Sequence, residues 1–270
     1  MSFSNNDINS DAYQHHHVFE EIERIRGYYQ DLSHTCFSFV PLGVSAIGNY
    51  ASYVFLSIEG TLHSISMLLK AGHLTDAYEL VRKVFDTVLV EIYIDVERKE
   101  KFGDRPDVFV EEVEEWLKGK HRIPSLERIQ IRLKNSLSTK DLYPFFGWDT
   151  YLKKNRELLN DNVHINRYTS ILYNCNELAI DGGLSRLKKL EGVSILLRQA
   201  FMIHLSFIFR LNSHYMMATD YIDSLECGAI PPEGSQYWLA PYAQEAFDEY
   251  IKPYNELAAF IKDTCPMEIA

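Results

Sequence analysis

The chain has 270 residues, a formal net charge of −11, 46% hydrophobic and 24% charged side chains. That length and balance bury a sizeable interior and exclude disordered and collagen-like classes. Cys36, Cys175, Cys227 and Cys265 form no C-x-x-C pair, which argues against a zinc ribbon, a thioredoxin-type motif or a dense disulfide scaffold and points to a reducing cytoplasm.

Taken in chain order, helical periodicity dominates. Val18, Ile22, Ile25, Tyr29 and Leu32 recur at alternating spacings of four and three, as one face of a helix requires. Tyr50, Val54, Ile58, Leu62, Ile65 and Leu69 repeat the pattern in a second helix that stops at Gly72. Thr75 or Asp76 is placed to cap a third, whose stripe runs through Ala77, Leu80, Val84, Val88 and Tyr93. Its centre, residues 88–94, is β-branched enough for a strand, but no Gly or Pro falls in residues 74–102, which favours one long helix. Pro106 and Gly119 bracket a fourth helix carrying Val113, Trp116 and Leu117, Ser125 caps a fifth, and Asp149 caps a sixth running towards Asn160. Gly182 and Gly183 break the chain, and from about Leu184 a long apolar helix or helix pair extends to Leu225. A loop over residues 227–236, with Pro231 and Pro232, precedes a last helical pair split at Pro253. The expected fold is all-α, a bundle of roughly eight to ten helices with a long buried helix around residues 193–225. One domain over residues 1–270 is expected, with two helical halves, 1–147 and 148–270, as the alternative.

Two features bear on location. The first residues, Met-Ser-Phe-Ser-Asn-Asn-Asp, have neither a basic nor an apolar region, so no signal peptide is expected. Residues 193–211 are long and apolar enough to consider as a membrane span, but Arg198, Gln199 and His204 sit in their middle, where charge costs a few kcal/mol in a bilayer. A buried core helix is expected there, and no membrane association.

Charge is uneven along the chain. Residues 1–115 carry net −11, residues 116–189 net +7 and residues 190–270 net −7. The basic part is densest at Lys118, Lys120, Arg122, Arg128, Arg132 and Lys134. A basic run beside the acidic Glu111, Glu112, Glu114 and Glu115 reads first as a solvated helix face. It is also the place where RNA would be held, since only residues 116–189 have positive net charge.

Motifs for dinucleotides, P-loop nucleotides, zincins and EF-hand calcium are all absent, and no cofactor is expected. His15, His16 and His17 invite a metal, but adjacent residues on a helix point about 100° apart and cannot all close on one ion. A di-iron bundle needs paired Glu-x-x-His motifs, and only Asp161-x-x-His164 resembles half of one. No metal site is expected. Arg82 and Asp86, four apart among Val81, Val84 and Phe85, read as an ion pair on a partly buried face. It serves either to balance charge between helices or to orient an anion. Asn160, Asp161, Asn162, His164 and Asn166 crowd around a helix end, where such side chains satisfy free backbone groups. Arg156 lies two helical turns before His164, so an imidazole suited to proton transfer and a guanidinium suited to phosphate could share that region.

The stretch over residues 68–86, with Leu68, Leu69, Gly72, Asp76, Ala77, Leu80, Arg82 and Asp86, followed by Val163-His164, resembles a group of uncharacterised all-helical bacterial proteins. These are similar in turn to abortive-infection proteins and to the HEPN superfamily, whose active members are dimeric, metal-independent ribonucleases using Arg-x4-6-His. The resemblance spans roughly residues 50–170. Arg198-x5-His204 fits that spacing and Arg156-x7-His164 exceeds it by one residue, but Arg198 and His204 lie in the most apolar helix, where a buried structural pair is expected. The polar pair is therefore the one to which the resemblance assigns catalysis.

Two functions follow. One is a helical interaction or regulatory module of a bacterial cytoplasmic system, for example in phage defence, acting as a homodimer or with a partner protein and without chemistry of its own. The other is a metal-independent ribonuclease in which His164 is general acid or base, Arg156 stabilises the charged phosphate, and Asn160 or Asn162 positions them.

Overall fold

The computed structural model describes residues 7–39, 49–102, 111–175, 185–228 and 237–270. The fold is all-α. The helices are α1 (Asp11–Gln14), α2 (Val18–Phe39), α3 (Tyr50–Lys70), α4 (Leu74–Phe102), α5 (Glu111–Leu117), α6 (Leu126–Asn135), α7 (Lys153–Val163), α8 (Tyr168–Leu172), α9 (Arg186–Leu211), α10 (Thr219–Glu226), α11 (Pro241–Tyr250) and α12 (Asn255–Thr264). Pro106, Gly182, Gly183, Pro231 and Pro232 lie outside the described residues. The only strands among the described residues, β1 (Tyr237–Trp238) and β2 (Met267–Glu268), pair in parallel. Two residues are too few to show alternation, so no periodicity marks them in the sequence.

Local chemistry sets the helix ends. Gly72 takes φ 81, its amide donates to Leu69 O and the next amide, of His73, to Leu68 O. These are the paired bonds of a Schellman stop, and the left-handed residue they require favours glycine. At the start of α4 the structure differs from expectation. The helix begins at Leu74, so Thr75 and Asp76 lie inside its first turn, and the Thr75 amide is capped by Asn174 Oδ1 at 3.0 Å. Ser125 does precede α6, without a side-chain capping bond. Asp149 belongs to a π-helical turn, Trp148–Leu152, that follows Gly147 and leads into α7. Residues 15–17 form a turn between α1 and α2, so the helical argument against shared ligation by His16 and His17 does not hold there.

The chain divides into two compact units, each built from three segments: residues 1–27, 57–87 and 146–200 in the first, and 28–56, 88–145 and 201–270 in the second. In the first, Val18, Ile22 and Ile25 of α2, Ile58, Leu62, Ile65 and Leu69 of α3, Leu74, Ala77, Val81 and Val84 of α4, and Leu190, Val193 and Leu197 of α9 are buried. Each large aliphatic side chain contributes about 1.5–3 kcal/mol by leaving water. The Tyr13 hydroxyl donates to Leu69 O at 2.7 Å and holds α1 to the end of α3.

Aromatic rings fill the second unit. Phe201 stacks on Tyr28 and meets Tyr250 edge-on, Phe209 meets Phe247, and Tyr29 and Tyr215 flank Phe55. Phe55 is fully buried where the apolar stripe favours Val54, which is only half-buried. Helix α9 is long and apolar enough to cross a membrane by length and composition, yet 78% of its apolar window is buried inside the protein.

Candidate functional site

In the first unit the candidates Arg156, Asn160, Asn162 and His164 lie on α7 and at its end, and Arg82 and Asp86 lie on α4. Asp86 Oδ2 lies 3.6 Å from Arg82 Nε in a half-buried pair on α4. Burial pushes the Asp86 carboxyl up from its usual range, while the guanidinium groups of Arg82 and Arg156 pull it down. Arg156 thus stands beside a carboxylate. Its Nε is buried without a hydrogen-bond partner, and so is Asn160 Oδ1, one helical turn further on. Asn162 is buried and turns back on its own helix, Nδ2 donating to Leu158 O at 2.8 Å. His164 is the C-terminal cap residue of α7 and is exposed. Arg156 and His164 therefore occupy different environments, the first half-buried and within electrostatic reach of Asp86, the second exposed.

The end of α7 carries the most unusual backbone among the described residues. The Ile165 amide donates to Asn162 O and the Asn166 amide to Asp161 O, which is again a Schellman stop, but its left-handed position is filled by isoleucine at φ 50. Among the described residues, Ile165 is the one non-glycine with positive φ. A β-branched side chain there costs roughly 1–2 kcal/mol. Its side chain is also 55% exposed, and Leu158, Tyr168 and Ile171 nearby in sequence are 39%, 72% and 47% exposed.

Helix α8 is nevertheless held firmly. Thr75 Oγ1 donates to Ser170 O at 2.5 Å, Asn174 Nδ2 donates to Asp76 Oδ1 at 2.7 Å, and Arg186 reaches the carbonyls of Gly72, Tyr173 and Cys175. Tyr168 and Ile171 are thus presented outward on an anchored helix.

The basic residues in the second unit are partly committed to other carboxylates. Arg132 Nε donates to Glu97 Oε1 at 2.5 Å and Nη2 to Glu100 Oε2 at 2.6 Å, tying α6 to α4. Lys118 pairs with Glu114 one turn back at 2.5 Å. Lys120, Arg122, Arg128 and Lys134 are exposed. Of the six, Arg132 in particular has a structural task that competes with any phosphate contact.

A buried polar centre in the second unit was not singled out from sequence. The His204 ring bridges Tyr29 Oη at 2.9 Å and Glu91 Oε2 at 3.0 Å. Asp95, one turn beyond Glu91 on α4, accepts from the Tyr50 hydroxyl and from Asn212 Nδ2. Arg98 lies 3.7 Å from Asp95 and over the Tyr50 ring. Burial raises both carboxyls, Glu91 to about 7 and Asp95 well above its ordinary range, with the like charge of Glu91 adding to the rise of Asp95. Burial likewise lowers His204 to about 3, so the ring is neutral. Glu91 Oε1 is buried without a hydrogen-bond donor, and a protonated Asp95 one turn further along α4 is the group placed to supply one. With Asp95 protonated and Glu91 ionised, one negative charge faces the Arg98 guanidinium. Tyr29, Tyr50, Glu91, Asp95, His204 and Tyr215 are each at most 3% exposed, so the centre is closed to solvent. Arg198, paired with Glu21 Oε2 at 2.7 Å, is not the structural partner of His204 expected from sequence.

Among the described residues, one group of histidine and carboxylate side chains, His16, His17 and Glu191 in the first unit, has ligand atoms all within 4.8 Å of one another. No protein-family model matches the chain, and no curated protein and no solved structure matches it.

Proposed function

We propose that this chain is a helical interaction module whose contact surface is the end of α7 together with α8. The observation that carries the reading is Ile165: a strained backbone position is held by a side chain that is itself left in water. Glycine or asparagine would satisfy the same stop without strain, so folding alone does not account for isoleucine there. Leu158, Tyr168 and Ile171 extend the exposed apolar surface, and aromatic and large aliphatic side chains of this kind are the usual anchors of protein contacts.

The occupant we infer is a second copy of the chain. Across a two-fold axis the exposed Leu158, Ile165, Tyr168 and Ile171 of one copy meet the same side chains of the other, an apolar contact that takes them out of water on both. The setting, a cytoplasmic regulatory or defence system of a bacterium, rests on the resemblance over roughly residues 50–170 to uncharacterised all-helical bacterial proteins, which are similar in turn to abortive-infection proteins. Light scattering on the full chain tests the reading. A dimer that Tyr168→Asp converts to monomer, with helicity unchanged, supports it. A monomer at every accessible concentration removes self-association.

One observation favours the ribonuclease reading. Arg156 Nε and Asn160 Oδ1 are a donor and an acceptor left buried and unpaired one turn apart, in the segment that the resemblance assigns to catalysis. Cleavage of RNA in metal-free buffer that disappears in His164→Ala would support it, and cleavage that persists unchanged would remove it.

A further inference from the structure

We propose that His16, His17 and Glu191 form a binding site for a divalent transition metal of the zinc type. The turn between α1 and α2 stacks the rings of His16 and His17 at 4.4 Å between centroids, with 30° between their planes. Side by side in this way, both rings bring Nε2 towards one oxygen of Glu191 on α9. His17 Nε2 is 2.6 Å from Glu191 Oε2 and His16 Nε2 is 3.9 Å from it.

Bonds of about 2.0–2.1 Å in a tetrahedral shell place neighbouring ligand atoms about 3.3 Å apart. The shorter separation must open and the longer one close by less than an ångström each. The side chains that must move are free to do so, since His17 is 55% and Glu191 50% exposed, while His16, at 13%, is the fixed member.

Two imidazoles and one carboxylate are the donor set that suits zinc and its neighbours, and they leave a fourth position on the solvent side for water. Ligation has one local cost. His16 Nδ1 accepts from the Val18 amide at 3.2 Å, so in the metal-free protein the His16 proton is on Nε2. Binding through Nε2 transfers that proton to Nδ1 and releases the Val18 amide, in the first turn of α2, to water. In return the ion ties together residues 174 positions apart in sequence, so it acts on the folded first unit as a clamp.

The test uses the full-length chain stripped of metal and titrated with Zn²⁺ by calorimetry. A parallel titration with Co²⁺ reads the coordination geometry by visible absorption. The expected result is one ion per chain, a tetrahedral or five-coordinate Co²⁺ spectrum, and a Zn²⁺-dependent rise in melting temperature. His17→Ala and Glu191→Gln should each weaken binding roughly tenfold or more. His15→Ala should leave it unchanged, because the His15 ring turns to Asp11. Failure of the unaltered chain to bind, or binding by His17→Ala and Glu191→Gln as tight as that of the unaltered chain, would overturn the proposal, the latter because the ion would then sit elsewhere, for example on cysteine.

Discussion

Replacing Glu91 by Gln changes one charge in the buried centre while keeping its shape. The carbonyl of the introduced glutamine can still accept from His204 and its amide can donate to Asp95, so the variant should fold. The wild-type carboxyl has an ordinary pKa of 4.5 and is raised by burial to about 7 in the folded protein. Between those values it holds more protons folded than unfolded. Its contribution to stability is therefore complete at low pH and is lost as pH rises through about 7. At about 1.4 kcal/mol per pH unit for one proton, the change across that window is on the order of 3 kcal/mol. Removing the Glu91 charge also relieves Asp95 of like-charge repulsion, which flattens the profile further. His204 acts with opposite sign, since its folded pKa of about 3 lies below the ordinary 6.5 and its contribution is lost as pH falls through that range. Both proteins retain His204, so to first order it cancels from their difference. Urea unfolding of wild type and Glu91→Gln at several pH values from 5 to 8, roughly one unit beyond the window's upper end, measures that difference. Wild type should lose stability relative to the variant as pH rises. A difference that stays flat across the series would refute a Glu91 carboxyl raised by burial.

Two helical glycines separate space from propensity. A Cβ on Gly192 in α9 would strike the Tyr78 hydroxyl, which donates to Lys189 O at 2.9 Å, whereas a Cβ on Gly60 in α3 meets nothing within 4 Å. Gly192→Ala should destabilise by about 1–3 kcal/mol and Gly60→Ala should stabilise by about 0.5–1 kcal/mol, both read by urea unfolding. Arg132→Ala removes two carboxylate bonds from a side chain that is 33% exposed, and a loss of about 1 kcal/mol after solvent screening is expected in the same measurement. No change would mean that Arg132 is available to phosphate after all.

The long apolar faces were legible because burial repeats with the helix. All five residues assigned to the face of α2, from Val18 to Leu32, are at most 1% exposed. The stops at Gly72 and Gly119 were legible too, since a left-handed residue is written as glycine. What escaped depends on partners distant in sequence. The α4 cap is a side chain 99 residues away, and Arg132 finds its carboxylates on α4. Ile165 escaped because a β-branched residue is the last one that turn chemistry places at positive φ. The buried centre left a trace that could have been followed. Glu91 and Asp95 stand four apart inside the apolar run 88–96, and a carboxylate pair on a buried face must share a proton or find a cation.

Ile165→Gly tests the central claim most directly, because the interaction reading predicts that fold and association respond in opposite directions. Glycine removes the strain at φ 50 and an exposed side chain, so the isolated fold should gain about 1 kcal/mol in urea unfolding at a concentration where the chain is monomeric. At higher concentration, sedimentation equilibrium should show weaker self-association than wild type. A variant that is more stable and associates as strongly as wild type would contradict the account, since Ile165 would then carry strain without serving a contact.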